Sequence, residues 1–355
     1  MAELPLVKSD EGLIKGAVYP REAMYYEKLS GGRVQCLLCY HRCKIPEGEI
    51  SFCKTRVNRE GIMFTTAFSN PCAVHVAPIE REPMYHFLPG TTSLSIATVG
   101  CNFSCLHCQN HEISQFARKS GQELPGRPIS PVEIVDKSLK TGCRSISYTY
   151  TEPTMFFELV FDTAELASKQ GIKNSFITNG YMTEEALYQL SPYLDAANID
   201  LKSFRDDFYK RVCGARLKPV LDTIKRMHEL GIWIEITTLI IPEENDSPEE
   251  LEQIAEFIFQ LSPGIPWHVS AFYPHFQMEE KSPTQPETIA IAREIGKKVG
   301  LEYIYSGNVP CDPGAHTYCP QCNLIIIERQ GFRVTNFNLS NGCCPSCGRS
   351  IVGIF

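Results

Sequence analysis

The sequence predicts an α/β protein in which a mainly parallel sheet forms a full or partial (β/α) barrel, with a small cysteine-rich, metal-binding appendage at each end. Three observations support this. Short apolar runs alternate with amphipathic stretches about seven times between residues 93 and 309. Such βα repeats require a parallel sheet with right-handed crossovers. On either side of this region, most cysteines lie in closely spaced groups that are typical of metal sites.

Each predicted element of the middle region has its own signal. The strands are β-rich runs at residues 93–99, 145–150, 173–180, 196–204, 231–242, 266–274 and 301–309. The helices are amphipathic stretches at residues 131–142, 153–171, 183–194, 219–230, 247–260 and 285–299. Ser130 and Thr183 stand at N-cap positions, and Gly142 and Gly171 end their helices. In such folds chemistry gathers at the carboxyl ends of the strands.

Length and composition limit the class of protein. We predict a cysteine-rich cap at residues 1–70, a barrel core at 71–312 and a C-terminal module at 313–355. The chain of 355 residues, 43% of them hydrophobic, can bury a full α/β core. A net charge of −7 without long Lys/Arg runs argues against nucleic acid as the general partner. Because neither a signal-peptide core nor a membrane-length apolar run is seen, we expect a cytoplasmic protein.

The segment GCNFSCLHCQN follows directly on the first strand of the barrel region. Its cysteines, Cys101, Cys105 and Cys108, have the spacing C-x3-C-x2-C. Three thiolates can hold three irons of a [4Fe–4S] cluster and leave the fourth iron open, which marks a catalytic site. A zinc knuckle completed by His107 or His111 is the alternative.

This cysteine loop after a strand resembles that of the radical S-adenosylmethionine (SAM) superfamily. The resemblance implies that Cys101, Cys105 and Cys108 hold a catalytic cluster whose open iron binds SAM. It also implies oxidoreductase-type chemistry, in which an electron from the cluster splits SAM into methionine and a 5′-deoxyadenosyl radical. That radical takes hydrogen from a substrate. His107 stands where the family usually has an aromatic residue.

Further short motifs occur where the resemblance requires them. TYTEPT, at residues 149–154, is similar to the family's Gly-Gly-Glu-Pro turn, with Tyr150 and Thr151 in place of the glycines. TNG and DLK, at the ends of the next two strands, resemble the pyruvate formate-lyase activase branch. His268 and His275 flank a later strand end, where adenine or substrate is expected, although packed or capping histidines are commoner. The resemblance implies a SAM pocket formed by Glu152, Thr178, Asn179, Asp200, Lys202 and His275.

Taken together, the motifs of residues 30–310 resemble the AmmeMemoRadiSam-system radical SAM enzymes. That resemblance implies Memo-like and AMMECR-like partner proteins, and radical SAM chemistry needs an external electron donor of the flavodoxin or ferredoxin type. The substrate stays open. A glycyl-radical-enzyme activase acting on a protein glycine and a non-catalytic multi-metal protein are the alternatives.

The N-terminal cysteine group predicts a metal site in the cap. Cys36, Cys39, Cys43 and Cys53 are four thiolates that suit tetrahedral zinc or a second iron–sulfur cluster. Because about 25 residues cannot bury a core of their own, a metal is expected to stabilise this segment. We expect His41 to be a surface residue, since the site already has four sulfurs.

The C-terminal cysteine group predicts a second closed site. Two C-P-x-C knuckles on either side of a hairpin-like segment are typical of a zinc ribbon or a rubredoxin-like iron site, with Cys319, Cys322, Cys344 and Cys347 as ligands. Cys343 is an alternative ligand. The module has few basic residues, so a cap or docking surface is favoured over nucleic-acid binding. The remaining single cysteines are expected to be buried and inert, namely Cys72, Cys143, Cys213, Cys311 and Cys343.

Overall fold

The computed structural model describes residues 21–116, 126–310 and 312–355. Cys311 and the N-terminal residues 1–20, which the expectation about a signal peptide concerned, lie outside these residues. The chain divides into two compact units. Unit 1 takes in the described residues of Met1–Val76, Leu94–Ser104 and Asn110–Leu194, and unit 2 those of Ala77–Ser93, Cys105–Gln109 and Asp195–Phe355.

Unit 1 begins with six short strands in two antiparallel sheets. The strands are β1 (Arg21–Glu22), β2 (Tyr26–Lys28), β3 (Val34–Cys36), β4 (Lys44–Ile45), β5 (Arg56–Arg59) and β6 (Ile62–Thr65). Their orders are β1-β6-β5 and β2-β3-β4. A buried ion pair joins this region to a barrel helix, because the Arg56 guanidinium lies 2.6 Å from the Glu158 carboxylate.

Four longer strands lie wholly or mostly in unit 1, namely β7 (Ala73–Pro78), β8 (Thr92–Ala97), β9 (Ser145–Tyr148) and β10 (Lys173–Thr178), in the order β10-β9-β8-β7. β9 and β10 are parallel. The helices are α1 (His111–Ser114), α2 (Pro131–Lys140), α3 (Phe157–Lys169) and α4 (Glu184–Leu190). The predicted N-cap of α2 is confirmed, since Ser130 and Glu133 form a reciprocal capping box. Thr183 precedes α4, but its hydroxyl donates instead to the carbonyls of Leu37 and Leu38.

Unit 2 continues the βα repeat. Its parallel strands are β11 (Ala196–Asp200), β12 (Trp233–Ile240), β13 (Trp267–Ala271) and β14 (Ile304–Gly307), in the order β14-β13-β12-β11. Its helices are α5 (Asp206–Phe208), α6 (Leu217–Glu229), α7 (Pro248–Leu261) and α8 (Pro286–Val299). The predicted α/β class with parallel strands is therefore confirmed.

The C-terminal module of unit 2 is a three-stranded antiparallel sheet, which confirms the predicted hairpin. Its strands are β15 (Thr317–Tyr318), β16 (Ile325–Gln330) and β17 (Arg333–Phe337), in the order β15-β16-β17. Buried Ile326 and Ile327 pack in one core with Tyr85, Tyr303 and Tyr305. Because these tyrosines lie outside the module, its core is continuous with the rest of unit 2. Whether the domains divide at residues 70 and 312 stays a prediction.

A buried polar network lies at the amino ends of the unit 2 strands. The Glu235 carboxylate accepts the backbone N–H groups of Tyr85 and His86, at 3.0 and 2.8 Å. It also lies 2.6 Å from His268 Nε2. His268 is the second residue of β13, so the expectation that it flanks the carboxyl end of the strand is wrong. His268 lies instead at the amino end of β13, where it is buried and paired with Glu235.

No helix within the described ranges has both the length and the apolar character needed to cross a membrane.

Candidate active site

The cysteine loop begins in unit 1 at Gly100. Any larger residue at this position would force the neighbouring atoms to move. Gly100 has φ +101°, and an added Cβ would lie 2.5 Å from Thr55 Cγ2 and 3.0 Å from the Cys53 carbonyl oxygen. Its N–H donates to the carbonyl of Ile113 at 3.0 Å. The loop is thus held against the segment that carries Cys53, one of the predicted N-terminal metal ligands.

Polar groups surround the first cysteine of the loop. The backbone N–H of Phe103 donates to Cys101 Sγ at 3.3 Å. The side-chain amide of Asn179 donates to Asn102 Oδ1 at 2.7 Å, and its nitrogen lies 3.8 Å from Cys101 Sγ. Hydrogen-bond donors near a thiolate stabilise its charge. The TNG turn after β10 therefore reaches the cysteine loop directly.

Glu152 links the ends of β9 and β10. Its Oε1 accepts hydrogen bonds from the Thr154 N–H and hydroxyl and from the Thr178 hydroxyl, at 3.1, 2.5 and 2.8 Å. Its Oε2 accepts from the backbone N–H of Asn179 at 2.9 Å. Burial raises the pKa of Glu152, and the hydrogen bonds from Asn179, Thr154 and Thr178 oppose that shift. These hydrogen bonds show that Glu152 fixes the turns after β9 and β10.

The turn before Glu152 keeps a backbone conformation that favours glycine. Tyr150 has φ +62°, in the left-handed region that non-glycine residues rarely occupy. Its carbonyl accepts a hydrogen bond from Asn110 Nδ2 at 2.8 Å, and the Thr151 hydroxyl donates to the Thr98 carbonyl at 2.8 Å. The glycine-preferring shape is thus retained by Tyr150, and it is held by side-chain hydrogen bonds to neighbouring loops.

His41 contacts the cysteine loop, contrary to the expectation of a surface residue. Its Nε2 lies 2.6 Å from the carbonyl oxygen of Asn102. Its ring is 5.1 Å from that of Tyr181. The sequence offered no signal for this contact, because it depends on how the cap packs within unit 1.

The N-terminal cysteines lie in the same unit. Cys36, Cys39 and Cys53 are buried, and Cys43 is partly buried. Burial raises the pKa of the Cys36, Cys39 and Cys43 thiols, and the Arg56 guanidinium partly offsets this for Cys36. The Cys36 N–H donates to the Cys43 carbonyl at 2.9 Å. A nearby fixed cation suits thiolates, which are the form that binds metals.

In unit 2, the rest of the cysteine loop is fixed through Leu106. The Leu106 N–H donates to the Val212 carbonyl, and the Leu106 carbonyl accepts from the Gln277 N–H, both at 3.0 Å. Cys105 is buried and Cys108 partly buried. His275, which is predicted to contact SAM, lies two residues before Gln277, and Gln277 holds the loop.

Asp200 and Lys202 follow β11 and pair with each other. Lys202 Nζ lies 2.7 Å from Asp200 Oδ2, and the side chains are 15% and 34% exposed. Burial lowers the pKa of Lys202, but Asp200 and the sulfurs of Cys105 and Cys213 outweigh burial and raise it overall. The two predicted residues thus contact each other within unit 2, beside Cys105, and their role in binding SAM stays a prediction.

Two buried polar atoms of the loop test whether a further group fits there. Asn102 Nδ2 in unit 1 and His107 Nδ1 in unit 2 have no hydrogen-bond partner among the described residues. Buried polar atoms normally have partners. Burial lowers the pKa of His107 to about 3, so the ring is neutral. Each of these unpaired buried atoms, taken in its own unit, leaves a hydrogen-bonding position next to a loop cysteine that a further polar group would satisfy.

The C-terminal cysteines form a compact four-sulfur group. The sulfurs of Cys319, Cys322, Cys344 and Cys347 all lie within 4.8 Å of one another. Backbone N–H groups, first that of Cys347, lower the pKa of Cys344 to about 7. Four converging thiols with one already acidic are suited to a tetrahedral metal ion. Cys343 is outside this group and exchanges backbone hydrogen bonds with Ser340.

The expectation for the single cysteines is confirmed only in part. Cys143 and Cys213 are buried, whereas Cys72 and Cys343 are partly exposed. Moreover, Cys213 follows Val212, whose carbonyl accepts the N–H of Leu106, so Cys213 lies near Cys105. The interaction with the Cys213 thiol lowers the pKa of Cys105, and burial raises that of Cys213. The sequence could not show this contact, since Cys213 belongs to no cysteine motif.

Comparisons with known proteins place the chain in a family. Residues 95–258 match the model of the radical SAM superfamily. The chain is 43% identical over 334 residues to an uncharacterised protein of Methanocaldococcus jannaschii, MJ0808, covering 93% of this chain and 98% of that one. It is 27% identical over 224 residues to a putative glycyl-radical enzyme activating enzyme of the same organism, covering 61% and 80%. A domain of a pyruvate-formate lyase-activating enzyme from Bacteroides vulgatus is similar in structure, with a TM-score of 0.39, 19% identity, and coverage of 46% of this chain and 98% of that one.

Proposed function

The chain belongs to the radical SAM superfamily, and from this premise we propose that it reductively cleaves SAM and abstracts hydrogen from a substrate that is not yet identified. Cys101, Cys105 and Cys108 would hold the [4Fe–4S] cluster. When bound, that cluster supplies the electron that cleaves SAM to methionine and a 5′-deoxyadenosyl radical. The observation that carries the proposal is the three-cysteine loop directly after β8, within the matched residues 95–258.

The polar residues at the strand ends would position SAM. In unit 1, Glu152 holds the TNG turn so that Thr178 and Asn179 keep their orientation beside Cys101. The unpaired Asn102 Nδ2 is a buried donor that a carboxylate or a cluster sulfur would satisfy. Hydrogen-bond donors preplaced in this way bind without reorganisation.

Unit 2 would supply the remaining contacts. Lys202, held by Asp200, offers a fixed positive charge beside Cys105 that suits an anionic cluster or a carboxylate. His107 offers a buried neutral ring nitrogen. We propose His275 as a further contact of SAM or substrate, because it follows the carboxyl end of β13.

The four-cysteine groups are proposed as additional metal centres. Cys319, Cys322, Cys344 and Cys347 suit a single ion, for which we propose zinc. For Cys36, Cys39, Cys43 and Cys53, we propose zinc or a second cluster from their spacing and burial, although among the described residues it is the C-terminal group whose ligand atoms all lie within 4.8 Å of one another. An external donor of the flavodoxin or ferredoxin type would supply the electron, and the AmmeMemoRadiSam resemblance extends the proposal to Memo-like and AMMECR-like partners.

Replacing Cys101, Cys105 or Cys108 with Ala tests the proposal. The anaerobically reconstituted protein is incubated with SAM and a low-potential reductant, and methionine and 5′-deoxyadenosine are quantified. We expect each of the three variants to lose the cluster absorbance of this site and all SAM cleavage. Cys143→Ala, at a buried cysteine outside the motifs, should retain both. Cleavage that persists in any of the three variants would show that the ligand assignment is wrong.

A glycyl-radical-enzyme activase is a second candidate, favoured by the similarity to a putative activating enzyme of that kind. It differs from a small-molecule enzyme in where the hydrogen is taken. The reconstituted protein is mixed with SAM, reductant and an extract of cells that lack it. A stable glycyl-radical EPR signal on a large protein supports activation. A modified small molecule with no such signal contradicts it.

A further inference from the structure

The chain leaves the unit 2 sheet at Lys202 under the control of side chains from the neighbouring strand and its loop. β11 ends at Asp200, and its backbone pairing with β12 stops at the same residue. Beyond it, side chains donate to the next two carbonyls. The Thr238 hydroxyl donates to the Leu201 carbonyl at 2.9 Å, and the Asn245 amide donates to the Lys202 carbonyl at 2.6 Å. The backbone of Lys202 is therefore placed by a side chain from the loop after β12.

Asn245 uses its amide for three hydrogen bonds at once. Besides the bond to Lys202, its Nδ2 donates to the Leu239 carbonyl at 2.9 Å, and its Oδ1 accepts the Ile241 N–H at 2.6 Å. The residue is 1% exposed, so water does not replace a lost partner. An aspartate has the same shape but could not donate, and an alanine could make none of the three bonds. This position therefore requires asparagine.

The N–H of Lys202 is held as well. It donates to the Tyr209 hydroxyl at 3.0 Å, and Tyr209 begins a π-helical turn, Tyr209–Cys213, that follows α5. π turns are rare and occur mainly at functional sites. The Lys202 ammonium lies 2.7 Å from the Asp200 carboxylate. Lys202 thus has fixed partners for both backbone polar groups and for its charge, although it belongs to no strand or helix.

Fixing the backbone of a lysine matters most where its charge must meet a ligand. The ammonium sits on a flexible four-carbon stem, so its position depends on where the backbone and the partner carboxylate are held. A side chain that is ordered in advance loses less entropy when a ligand binds. Lys202 lies beyond the carboxyl end of β11, where such folds place their ligands. The carboxylate of SAM is an anionic group that would need such a cation once water is excluded.

We propose that Asn245 and Tyr209 are positioning residues that hold the Lys202 backbone so that its ammonium binds the carboxylate of SAM. This inference rests on the proposed function, in which Lys202 belongs to the SAM pocket. Both residues act through Lys202 and not on SAM itself. They should therefore matter for a ligand that carries the carboxylate and not for one that lacks it.

Binding of SAM and of decarboxylated SAM tests the inference, because the second compound keeps the ammonium and the sulfonium but has no carboxylate. Dissociation constants are measured anaerobically on reconstituted, oxidised protein at equal iron content. We expect Asn245→Ala and Tyr209→Phe each to weaken SAM about 3- to 10-fold, as for the loss of one hydrogen bond. Lys202→Met should weaken SAM roughly 10- to 100-fold, because it removes a charged donor. Decarboxylated SAM should bind Asn245→Ala and Tyr209→Phe as tightly as it binds wild type.

Asn58→Ala is the matched control. Asn58, in unit 1, is also buried, and its amide likewise donates to two backbone carbonyls and accepts one backbone N–H. Its replacement should lower stability without changing SAM affinity. Combining Asn245→Ala with Lys202→Met should weaken SAM no further than Lys202→Met alone, because Asn245 acts through that lysine.

Three results would overturn the inference. The first is an unchanged SAM affinity in either Asn245→Ala or Tyr209→Phe. The second is an equal loss for SAM and decarboxylated SAM, which general damage to the site would produce. The third is a further loss in the double variant as large as that in Asn245→Ala. If Asn245→Ala does not fold, Tyr209→Phe decides alone, because it keeps the ring and removes only the hydroxyl. The proposed function fails separately, when the loaded wild-type protein does not cleave SAM.

Discussion

The carboxylate of Glu152 has little capacity left for a ligand. It accepts four hydrogen bonds from Thr154, Thr178 and Asn179, and the residue is 1% exposed. A role in holding the TNG turn accounts for all of these contacts. Asn179 then presents its side-chain amide to Asn102, next to Cys101. At this scale, SAM affinity should depend on Glu152 indirectly, through the placement of Asn179.

We predict that Glu152→Gln weakens both folding and SAM binding. The new NH₂ group would face donors, leaving at least one buried group unpaired, which costs roughly 1–3 kcal/mol. Unfolding free energy and SAM dissociation constant are measured at equal cluster loading. Asn179→Ala should weaken SAM by a similar amount with a smaller loss of stability, because it leaves the Glu152 hydrogen bonds in place.

Glu158→Gln is the matched control, at a buried glutamate of the same unit that is paired with Arg56. It should lower stability without changing SAM affinity. If Glu152→Gln and Asn179→Ala also leave SAM affinity unchanged, neither residue contributes to the pocket.

The sequence could predict those site residues that occur at a fixed spacing within a motif. The cysteines of the loop are recognisable because all three occur at a C-x3-C-x2-C spacing within one short stretch, and TNG and DLK because polar residues follow apolar strands. Cys213, His41 and Asn102 carried no such signal. Their contacts depend on tertiary packing that brings together residues far apart in sequence.

Among the elements, the loop after β8 is constrained by the segment that bears Cys53. The close approach at Gly100 leaves no space for a side chain. A further contact between cap and loop within unit 1 is that of His41 with the Asn102 carbonyl. The cap thus helps to fix the residues on either side of Cys101, in addition to any metal that it binds.

Gly100→Ala should therefore lower both stability and iron content. Gly100 has φ +101°, which an alanine rarely adopts, and the added methyl group would lie 2.5 Å from Thr55 Cγ2. The loop or the cap would therefore have to move. The overpacking costs about 1–3 kcal/mol beyond the backbone strain. Thermal unfolding and iron per chain after reconstitution measure the effect.

Gly142→Ala controls for backbone strain alone. Gly142 has φ +69°, with nothing within 4 Å of an added Cβ. It should lose about 1–2 kcal/mol for the left-handed conformation and keep a full complement of iron. Equal iron content in both variants would show that the contact with Thr55 does not shape the loop.

The order and type of the barrel elements could also be predicted, because each strand and helix has its own period and its own caps. Local geometry was less accessible. The positive φ of Tyr150 and the π turn at Tyr209–Cys213 contradict the usual preferences of their residues. Such conformations persist only where surrounding contacts stabilise them, so a local reading of the sequence cannot find them.

At the scale of the whole molecule, the chain carries three cysteine groups with different numbers and spacings of cysteines. The group of Cys101, Cys105 and Cys108 has three cysteines, for which we propose an open catalytic cluster. The C-terminal group has four sulfurs within 4.8 Å of one another and is closed. It shares a core with Tyr303 and Tyr305 of unit 2. A closed site of this kind stabilises structure and needs no redox change.

We therefore predict that oxygen separates the catalytic cluster from the C-terminal metal. On exposure to air the cluster iron should be lost, while the ribbon should keep its ion, because zinc in a closed thiolate site has no redox chemistry.

Cys322→Ser should give the reverse result, with an intact cluster and one metal equivalent fewer. Cys322 is the exposed member of the group, so its replacement disturbs the core least. Cys343→Ser, outside the four-sulfur group, is the control. Zinc and iron are counted by elemental analysis before and after exposure. Unchanged metal content in Cys322→Ser would show that this group binds no metal. Loss of its ion in air would show that the ion is iron and not zinc.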